Sequence, residues 1–274
     1  MPGLNATGKP NTEDYNLGRG IVYFANLVNS LPADYRDLGN APEFNISIEV
    51  ETVEHQSSRQ GLRVVDKEVV ISQKISLTVT IDELNFENLA LFFSGSTGTH
   101  TNVSVAGFAE HQMITSAVHG RWYDIVDSNG NRAYDVDSAD LTVEVGATPA
   151  VLNTDYEVKS EMGQLFVVSG STVITVGSNV DVTLAANGTA RAVTEVRALT
   201  QSAVTGALKF VSVNPAASDA ETEYQFHSVS LKAEGDFSLI GDEFTTMQLT
   251  GVAERNETAD ADSPTLTIRN VTAA

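Results

Sequence analysis

Alternation of apolar and polar residues runs through most of the chain and predicts β-strands nearly throughout. In the segment EFNISIEV, the apolar positions are Phe44, Ile46, Ile48 and Val50. The positions between them are Asn45, Ser47 and Glu49. A period of two places alternate side chains on opposite faces of a strand. We therefore expect a strand with one buried face and one solvent face.

A second, longer alternation occupies residues 66–81. Its apolar positions are Val69, Ile71, Ile75, Leu77, Val79 and Ile81. Its polar positions are Ser72, Lys74, Ser76, Thr78 and Thr80. A strand of about 16 residues is far longer than the usual roughly 5–6. We expect it to project beyond the body of its domain or to curve around it.

The polar segment EHQSSRQGLR, residues 54–63, separates the two strands and is predicted to be the tip of a long hairpin. Its chemically notable residues are Glu54, His55, Ser57, Ser58, Arg59, Gly61 and Arg63. Gly61 supplies the backbone freedom that a turn needs.

One helix is predicted, in DELNFENLALFFSG. Asn85 can cap it, Glu87 lies in the first turn, where the helix dipole favours an acid, and Gly95 can end it. An apolar stripe at helical spacing is formed by Phe86, Leu89, Ala90 and Phe93. The helix is expected to cover an open face of the sheet. The segment IVYFANLVN fits a helix or a strand equally well.

From residue 120 onward the predicted strands become short and follow one another at hairpin spacing. Asn129-Gly130 lies between two of them and is typical of a type I′ turn. Longer strands return after residue 195. We therefore predict a discontinuous main β domain, 1–119 and 196–274, with N- and C-terminal arms, and an inserted hairpin lobe at 120–195.

Charge and composition narrow the function. The chain has 36 acidic and 16 basic residues, a net charge of −20, so adhesion to DNA or to an anionic membrane is not expected. It has no cysteine, which excludes disulfides and thiolate chemistry. The first residues lack the apolar core of a signal peptide. We expect a protein made and kept in a reducing cytoplasm.

Two motifs suggest chemistry but match it poorly. A Ser-His-Asp triad could use Ser57 or Ser58 with His55 and Asp66, but no G-x-S-x-G occurs and a hairpin tip is a loose support. The segment DSNGNRAYD resembles half of a calcium loop, but Gly130 and Ser138 stand at the wrong positions. The hairpin turn explains that segment better.

The histidines and the single tryptophan also give no site. His55, His100, His111, His119 and His227 form no metal-binding pattern and are expected on the surface. Trp122 and Tyr123 could stack on a sugar, but a buried strand anchor is the favoured interpretation. We therefore predict no enzyme, no cofactor and no metal.

The order and spacing of several segments resemble the tail tube proteins, or major tail proteins, of long-tailed, siphovirus-like phages. The segments are LGRGIVYFANL, LGNAPEFNISIEVETVEHQSSRQGLRVVDKEVV, the alternation ending in IDELNFENLALFFSG, DYEVKSEMGQLFVV, GALKFVSVN and SLIGDEFTTMQLTGV. They extend from about residue 17 to residue 254.

The resemblance implies a mostly β fold, a β-sandwich or partial barrel with long hairpins and one flanking α-helix, completed into a β-lined tube by oligomerisation. Hexameric rings would stack into a virion tail made in the host bacterial cytoplasm. The implied partners are other copies, a tape-measure protein, and tail terminator and tail-tip proteins. DNA would pass through the lumen, and the 120–195 lobe would lie outside.

On this resemblance, the polar strand faces would line the lumen. The candidate lining residues are Ser47, Glu49, Glu51, Ser72, Lys74 and Ser76. Such a surface is polar and net negative, so DNA would slide rather than bind. The 54–63 segment would contact the next ring or a neighbouring subunit.

Two other classes remain as alternatives. A β-sandwich adhesin or carbohydrate-binding module would explain the hairpins and Trp122, but not the long strand pair or the capped helix. A hydrolase on a β scaffold is disfavoured by the missing motifs. Self-association distinguishes the tube subunit from both.

Overall fold

The computed structural model describes residues 17–57, 61, 63–102, 112–126, 130, 132–184, 191–213 and 220–272. The first elements are β1 Gly20–Val28, β2 Leu31–Pro32, β3 Arg36–Asp37, β4 Glu43–Ser57, β5 Val64–Ile81, α1 Phe86–Phe92 and β6 Ser96–Asn102. Then follow β7 Gln112–Ile114, β8 Trp122–Asp124, β9 Leu141–Val145, β10 Thr148–Pro149, β11 Tyr156–Lys159, β12 Gln164–Val167 and β13 Val180–Leu184. The last are β14 Arg191–Arg197, β15 Val204–Val213, β16 Ala220–Glu234, β17 Met247–Ala253 and β18 Leu266–Thr272.

The chain folds as two compact units, formed by the described residues of 1–97 with 196–274 and of 98–195. The first boundary between the units follows residue 97, earlier than the boundary at residue 120 that the sequence patterns predicted. The reason is that β7 pairs with β13 inside the second unit. A strand of three residues is too short to show alternation, so the pattern did not reveal it.

The first unit is built on one antiparallel sheet of nine strands. Their order is β2-β1-β15-β16-β17-β5-β4, with β18 paired to β16 and β3 paired to β1. The ambiguous segment IVYFANLVN is therefore a strand, β1. β17 pairs with β5 from Ser76 to Ile81, whereas β4 and β5 pair along nearly their whole length. The outer part of the β4–β5 hairpin thus extends beyond its neighbour β17.

Helix α1 packs against β16 and β17 and completes the core of the first unit. Asn85 caps it as predicted, because its side chain accepts a hydrogen bond of 2.8 Å from the Asn88 amide. The helix has 7 residues and ends at Phe92, before Gly95.

The predicted apolar stripe of α1 is only partly right. Ala90 is buried and Leu89 and Phe93 are partly buried, but Phe86 is 50% exposed. The buried face instead carries Asn88, Leu91 and Phe92 beside Ala90. The reason is the polar anchor of the helix, since Asn88 is fully buried and bonds to residues outside α1.

The second unit has its own core and two small sheets, β10-β9-β13-β7 and β11-β12-β8, besides the two-stranded sheet β14-β6. Leu165, Ile174 and Val180 lie at the centre of this core. Trp122 does not, contrary to the sequence interpretation. It is 48% exposed, and its ring lies 4.9 Å from that of Phe166, because β8 is a short strand at the edge of its sheet.

The mostly β architecture with a single flanking helix and a long hairpin is therefore confirmed for the described residues. Within these residues the strands form open sheets, and no sheet closes into a barrel on its own.

Candidate assembly surface

The β4–β5 hairpin is the feature on which most of the predicted site residues lie. β4 has 15 residues and β5 has 18, both longer than predicted. As a result, Glu54, His55 and Ser57 belong to β4 rather than to a loop. The connection is 58–63, in which Gly61 and Arg63 are exposed. Ser58 and Arg59 lie outside the described residues.

Most of this hairpin is uncovered. No residue of β4 is buried, and residues 64–74 of β5 are all exposed. We call residues 48–57 and 64–75 the outer arm. At a rise of about 3.3 Å per residue, the outer arm extends roughly 40 Å beyond the part of β5 that pairs with β17. β4 is also an edge strand among the described residues, so its outer row of backbone groups is available for pairing.

The six predicted lumen residues lie together on one face of the hairpin. The pairs opposite each other are Ser47 with Ser76, Glu49 with Lys74, and Glu51 with Ser72. Lys74 Nζ lies 3.7 Å from Glu49 Oε2, and Ser72 Oγ donates a hydrogen bond of 3.2 Å to Glu51 Oε2. The side chains of this polar face thus contact one another in solvent, and the face has a net charge of −1 from two glutamates and one lysine.

The opposite face is apolar and changes from buried to exposed along its length. At the base, Leu77 and Val79 are buried in the core. Further out, Ile48 lies opposite Ile75 and is 66% exposed, and Val50 lies opposite Gln73 and is 50% exposed. The same apolar stripe therefore leaves the core and continues into solvent.

A β-bulge interrupts this pattern in the middle of the outer arm. Glu51 pairs with Ser72, but the next residue, Thr52, pairs with Val70, which leaves Ile71 without a residue opposite. Because one extra residue enters β5, the alternation of its faces reverses there. Val69, which the odd-position pattern grouped with Ile75, therefore lies on the polar side, opposite Val53.

At the far end of the arm, His55 Nδ1 lies 2.5 Å from Asp66 Oδ1. The two side chains are 74% and 47% exposed. This contact lies at a second register shift, between His55 and Gln56. Of the triad considered from sequence, the described residues bring together the histidine and the aspartate, while Ser57 lies opposite Val64.

The other candidates from the sequence are the possible metal ligands and the remaining histidines. In the part of the chain described, no three His, Asp or Glu side chains are placed to hold a metal ion. Asp127, Asn129 and Asn131 of the calcium-like segment lie outside it, as does His111. His119 lies with its Nε2 2.5 Å from the Ile174 carbonyl. His227, expected on the surface, is 3% exposed.

His227 belongs to a buried polar cluster that holds the C-terminal segment onto the sheet. Its Nε2 lies 2.9 Å from Thr267 Oγ1 and 3.8 Å from Asp260 Oδ2. Asn256 donates to the carbonyls of Ser30 and His227, at 2.7 and 3.2 Å. Burial lowers the pKa of His227, and Asp260 opposes that effect. The only indication of this cluster in the sequence is a polar residue within an apolar alternation.

A polar cleft of about 290 Å³ lies beside α1 in the first unit, lined by Arg36, Asp34 and Glu87 among others. Arg36 Nη1 donates to Asn88 Oδ1 at 2.7 Å, and its Nε lies 3.6 Å from Glu87. Burial lowers the pKa of Arg36, and Glu87 partly restores it. This arginine fixes the position of α1.

The helices in the described residues include none with the length and apolar character that a membrane span needs.

The fold and the exposed hairpin define a mostly β, sandwich-type protein with a discontinuous first unit and an amphipathic outer arm. The chain belongs to the family described as "Protein of unknown function UCP028589", whose profile matches residues 15–265. No curated protein matches it.

Proposed function

We propose that this chain is a tail tube subunit, which assembles into hexameric rings that stack into the tube of a long phage tail. The observation that carries the proposal is the outer arm, a long exposed hairpin with an open edge, which has one polar and one apolar face between its base and the bulge. An apolar stripe that continues from the core into solvent is typical of a surface that another chain covers.

The outer arm has enough apolar surface to contribute to assembly but not to drive it as a single contact. Besides Val64 and Val65 near the tip, its exposed aliphatic side chains, 47–66% exposed, are Ile48, Val50, Val53, Val69, Val70 and Ile71. Covering each half-exposed side chain contributes about 1 kcal/mol, or roughly 6 kcal/mol when neighbours cover both faces of the arm. Association itself costs about 4–15 kcal/mol. The remaining binding free energy comes from backbone pairing at the β4 edge and from ring closure. In a closed ring, each subunit makes contacts on two sides.

The polar face of the hairpin suits the lumen of such a tube. It carries Glu49, Glu51 and Lys74 among hydroxyl side chains, so a passing polyanion meets a wet surface without a basic patch. The partners in this proposal are further copies of the chain, the tape-measure, terminator and tail-tip proteins, and DNA in transit.

Assembly of the purified full chain tests the proposal. We expect rings of six and tubes in negative-stain electron micrographs, with a sedimentation coefficient that rises with concentration. Ile48→Asp combined with Ile71→Asp should abolish rings and tubes. It should leave the far-UV circular dichroism spectrum unchanged, because the two isoleucine side chains are already exposed. A wild-type chain that remains monomeric at high concentration contradicts the proposal.

Val176→Asp provides the matched control. Val176 lies in the second unit and is 67% exposed, close to the exposure of Ile48. This variant adds one of the double variant's two negative charges at a comparable site and should assemble normally. Loss of assembly in it as well would mean that added negative charge alone prevents association.

A second candidate function is sugar binding by the second unit. Trp122 and Phe166 present two neighbouring aromatic rings, and Trp122 is 48% exposed. Exposed aromatic faces of this kind stack on sugar rings. Glycan-array binding that is lost in Trp122→Ala would support this function, and it is compatible with a tube-forming first unit.

A further inference from the structure

The loop between β16 and β17, residues 235–246, exposes an apolar cluster that the proposed function does not yet use. Leu239 is 83% exposed, Ile240 96% and Phe244 97%. In a chain of net charge −20, three large apolar side chains held almost entirely in water indicate a contact surface.

This loop is anchored rather than loosely attached. Phe237 packs its ring 5.5 Å from the rings of both Phe92 and Phe93 at the end of α1. Thr245 Oγ1 donates a hydrogen bond of 2.9 Å to the Ser238 carbonyl, which closes the neck of the loop. Residues 239–244 are thus presented on a fixed base.

The loop and the tip of the outer arm lie at opposite ends of the same strands. Met247 pairs with Ile81, and Glu234 pairs with Gln248, which places the loop where β5 ends. The hairpin connection follows Ser57 and precedes Val64, at the other end of β5. Opposite ends of one subunit meet when identical subunits stack head to tail.

The two ends are complementary in charge as well as in apolar character. The loop reads GDFSLIGDEFTT, with three acids and no base, whereas residues 57–67 read SSRQGLRVVDK, with three bases and one acid, Asp66, whose carboxylate contacts His55. At the tip, Val64 is 59% and Val65 45% exposed, and Arg63 and Lys67 are exposed beside them.

We propose that the 235–246 loop of one subunit docks on the hairpin tip of a second copy of this chain in the next ring. Leu239, Ile240 and Phe244 cover Val64 and Val65 of the next copy, while Asp242 and Glu243 face its Arg63 and Lys67. The contact is heterologous, so it does not close on itself and propagates as a filament. This inference rests on the proposed function, since it assumes rings.

A pair of charge-reversal variants tests the docking. Loop variant Asp242→Lys/Glu243→Lys and tip variant Arg63→Glu/Lys67→Glu should each form rings but no tubes, because like charges then meet at every junction. Mixing the two variants should restore tubes in which rings of the two variants alternate. At one junction the unaltered loop of the tip variant meets the unaltered tip of the loop variant. At the next junction the two reversed surfaces meet, and their charges are again opposite.

The outcomes separate this inference from the proposed function. Tubes formed by either variant alone, or a mixture that still stops at rings, would overturn the docking and leave the ring proposal intact. A wild-type chain without rings would instead contradict the proposed function itself.

The apolar part of the docking is tested with Ile240→Asp/Phe244→Asp, against Val176→Asp as control. The double variant should stop at rings, and the control should form tubes. Binding of the wild-type chain to phosphatidylcholine vesicles that is lost in the double variant would overturn the docking in favour of a lipid-contacting loop. Absence of vesicle binding supports the protein contact.

Discussion

Replacing Asn88 with alanine should destabilise the first unit strongly. The Asn88 side chain is fully buried. Its Oδ1 accepts from Arg36 Nη1 at 2.7 Å, and its Nδ2 donates to the carbonyls of Leu38 and Glu83 at 2.8 and 3.0 Å. One amide therefore holds α1, the strand region around β3 and the segment before the helix in a single arrangement.

The size of the effect follows from what alanine leaves behind. Two carbonyls and one guanidinium nitrogen lose their partner, and Arg36 Nη2 is already buried without one. An unmet buried polar group costs about 1–3 kcal/mol, so with partial relaxation the total is about 3–5 kcal/mol. For a unit of this size, each kcal/mol lowers the melting temperature by about 2–4 °C. We expect a decrease of about 10 °C.

The single tryptophan makes the assay specific for one unit. Trp122 lies in the second unit, so its fluorescence follows that unit, whereas far-UV circular dichroism follows both. Asn88→Ala should lower the main circular-dichroism transition and leave the fluorescence transition in place. Asn85→Ala, which removes only the cap, should cost about 1 kcal/mol. An Asn88→Ala effect no larger than the cap effect would refute this account of the anchor.

Two further predictions concern a glycine and a buried histidine. Gly163→Ala should cost about 2–4 kcal/mol, because Gly163 has a φ of 56° and a Cβ there would collide with the Ala133 carbonyl. Trp122 fluorescence during urea unfolding measures it. For His227, burial makes the folded pKa lower than the unfolded value of 6.5. The neutral form therefore stabilises the fold above pH 6.5, and that stability is lost as the pH falls toward the folded pKa. Protection factors for the amides of residues 254–272, which correct for the slower intrinsic exchange at lower pH, should fall from pH 7.5 to 5.5 in wild type, and should fall less in His227→Gln.

Alternation predicted the strands because a strand with two unlike faces obeys a period of two, whether its apolar face is buried within the subunit or, as in β4, left exposed. It placed Ser47, Glu49 and Lys74 on one face correctly. It failed for Val69, because the run of three apolar residues at 69–71 fits either face and only the pairing with β4 reveals the bulge.

Other parts of the fold depend on distant contacts that local pattern does not contain. The orientation of α1 follows Asn88, whose partners Arg36 and Leu38 lie about 50 residues earlier in the chain. The exposure of Trp122 depends on β8 being the edge of its sheet. The buried position of His227 requires the return of the segment around Asp260.

The bulge at Ile71 connects these observations to assembly. On the base side of it, the exposed apolar residues, such as Ile48, lie on the face that is continuous with the core. On the tip side, the pair Val53 and Val69 lies on the opposite face. One partner surface cannot cover both sides of a two-stranded arm. In the proposed tube, a neighbour within the ring covers the base-side residues such as Ile48. Val53 and Val69 lie closer to the tip, on which the 235–246 loop of the next ring is proposed to dock. Deleting Ile71 would keep the pairs Thr52–Val70 and Val53–Val69 but remove the local bend and extra twist that the bulge gives the arm. Because that bend sets the direction of the tip, the deletion should impair stacking more than ring formation.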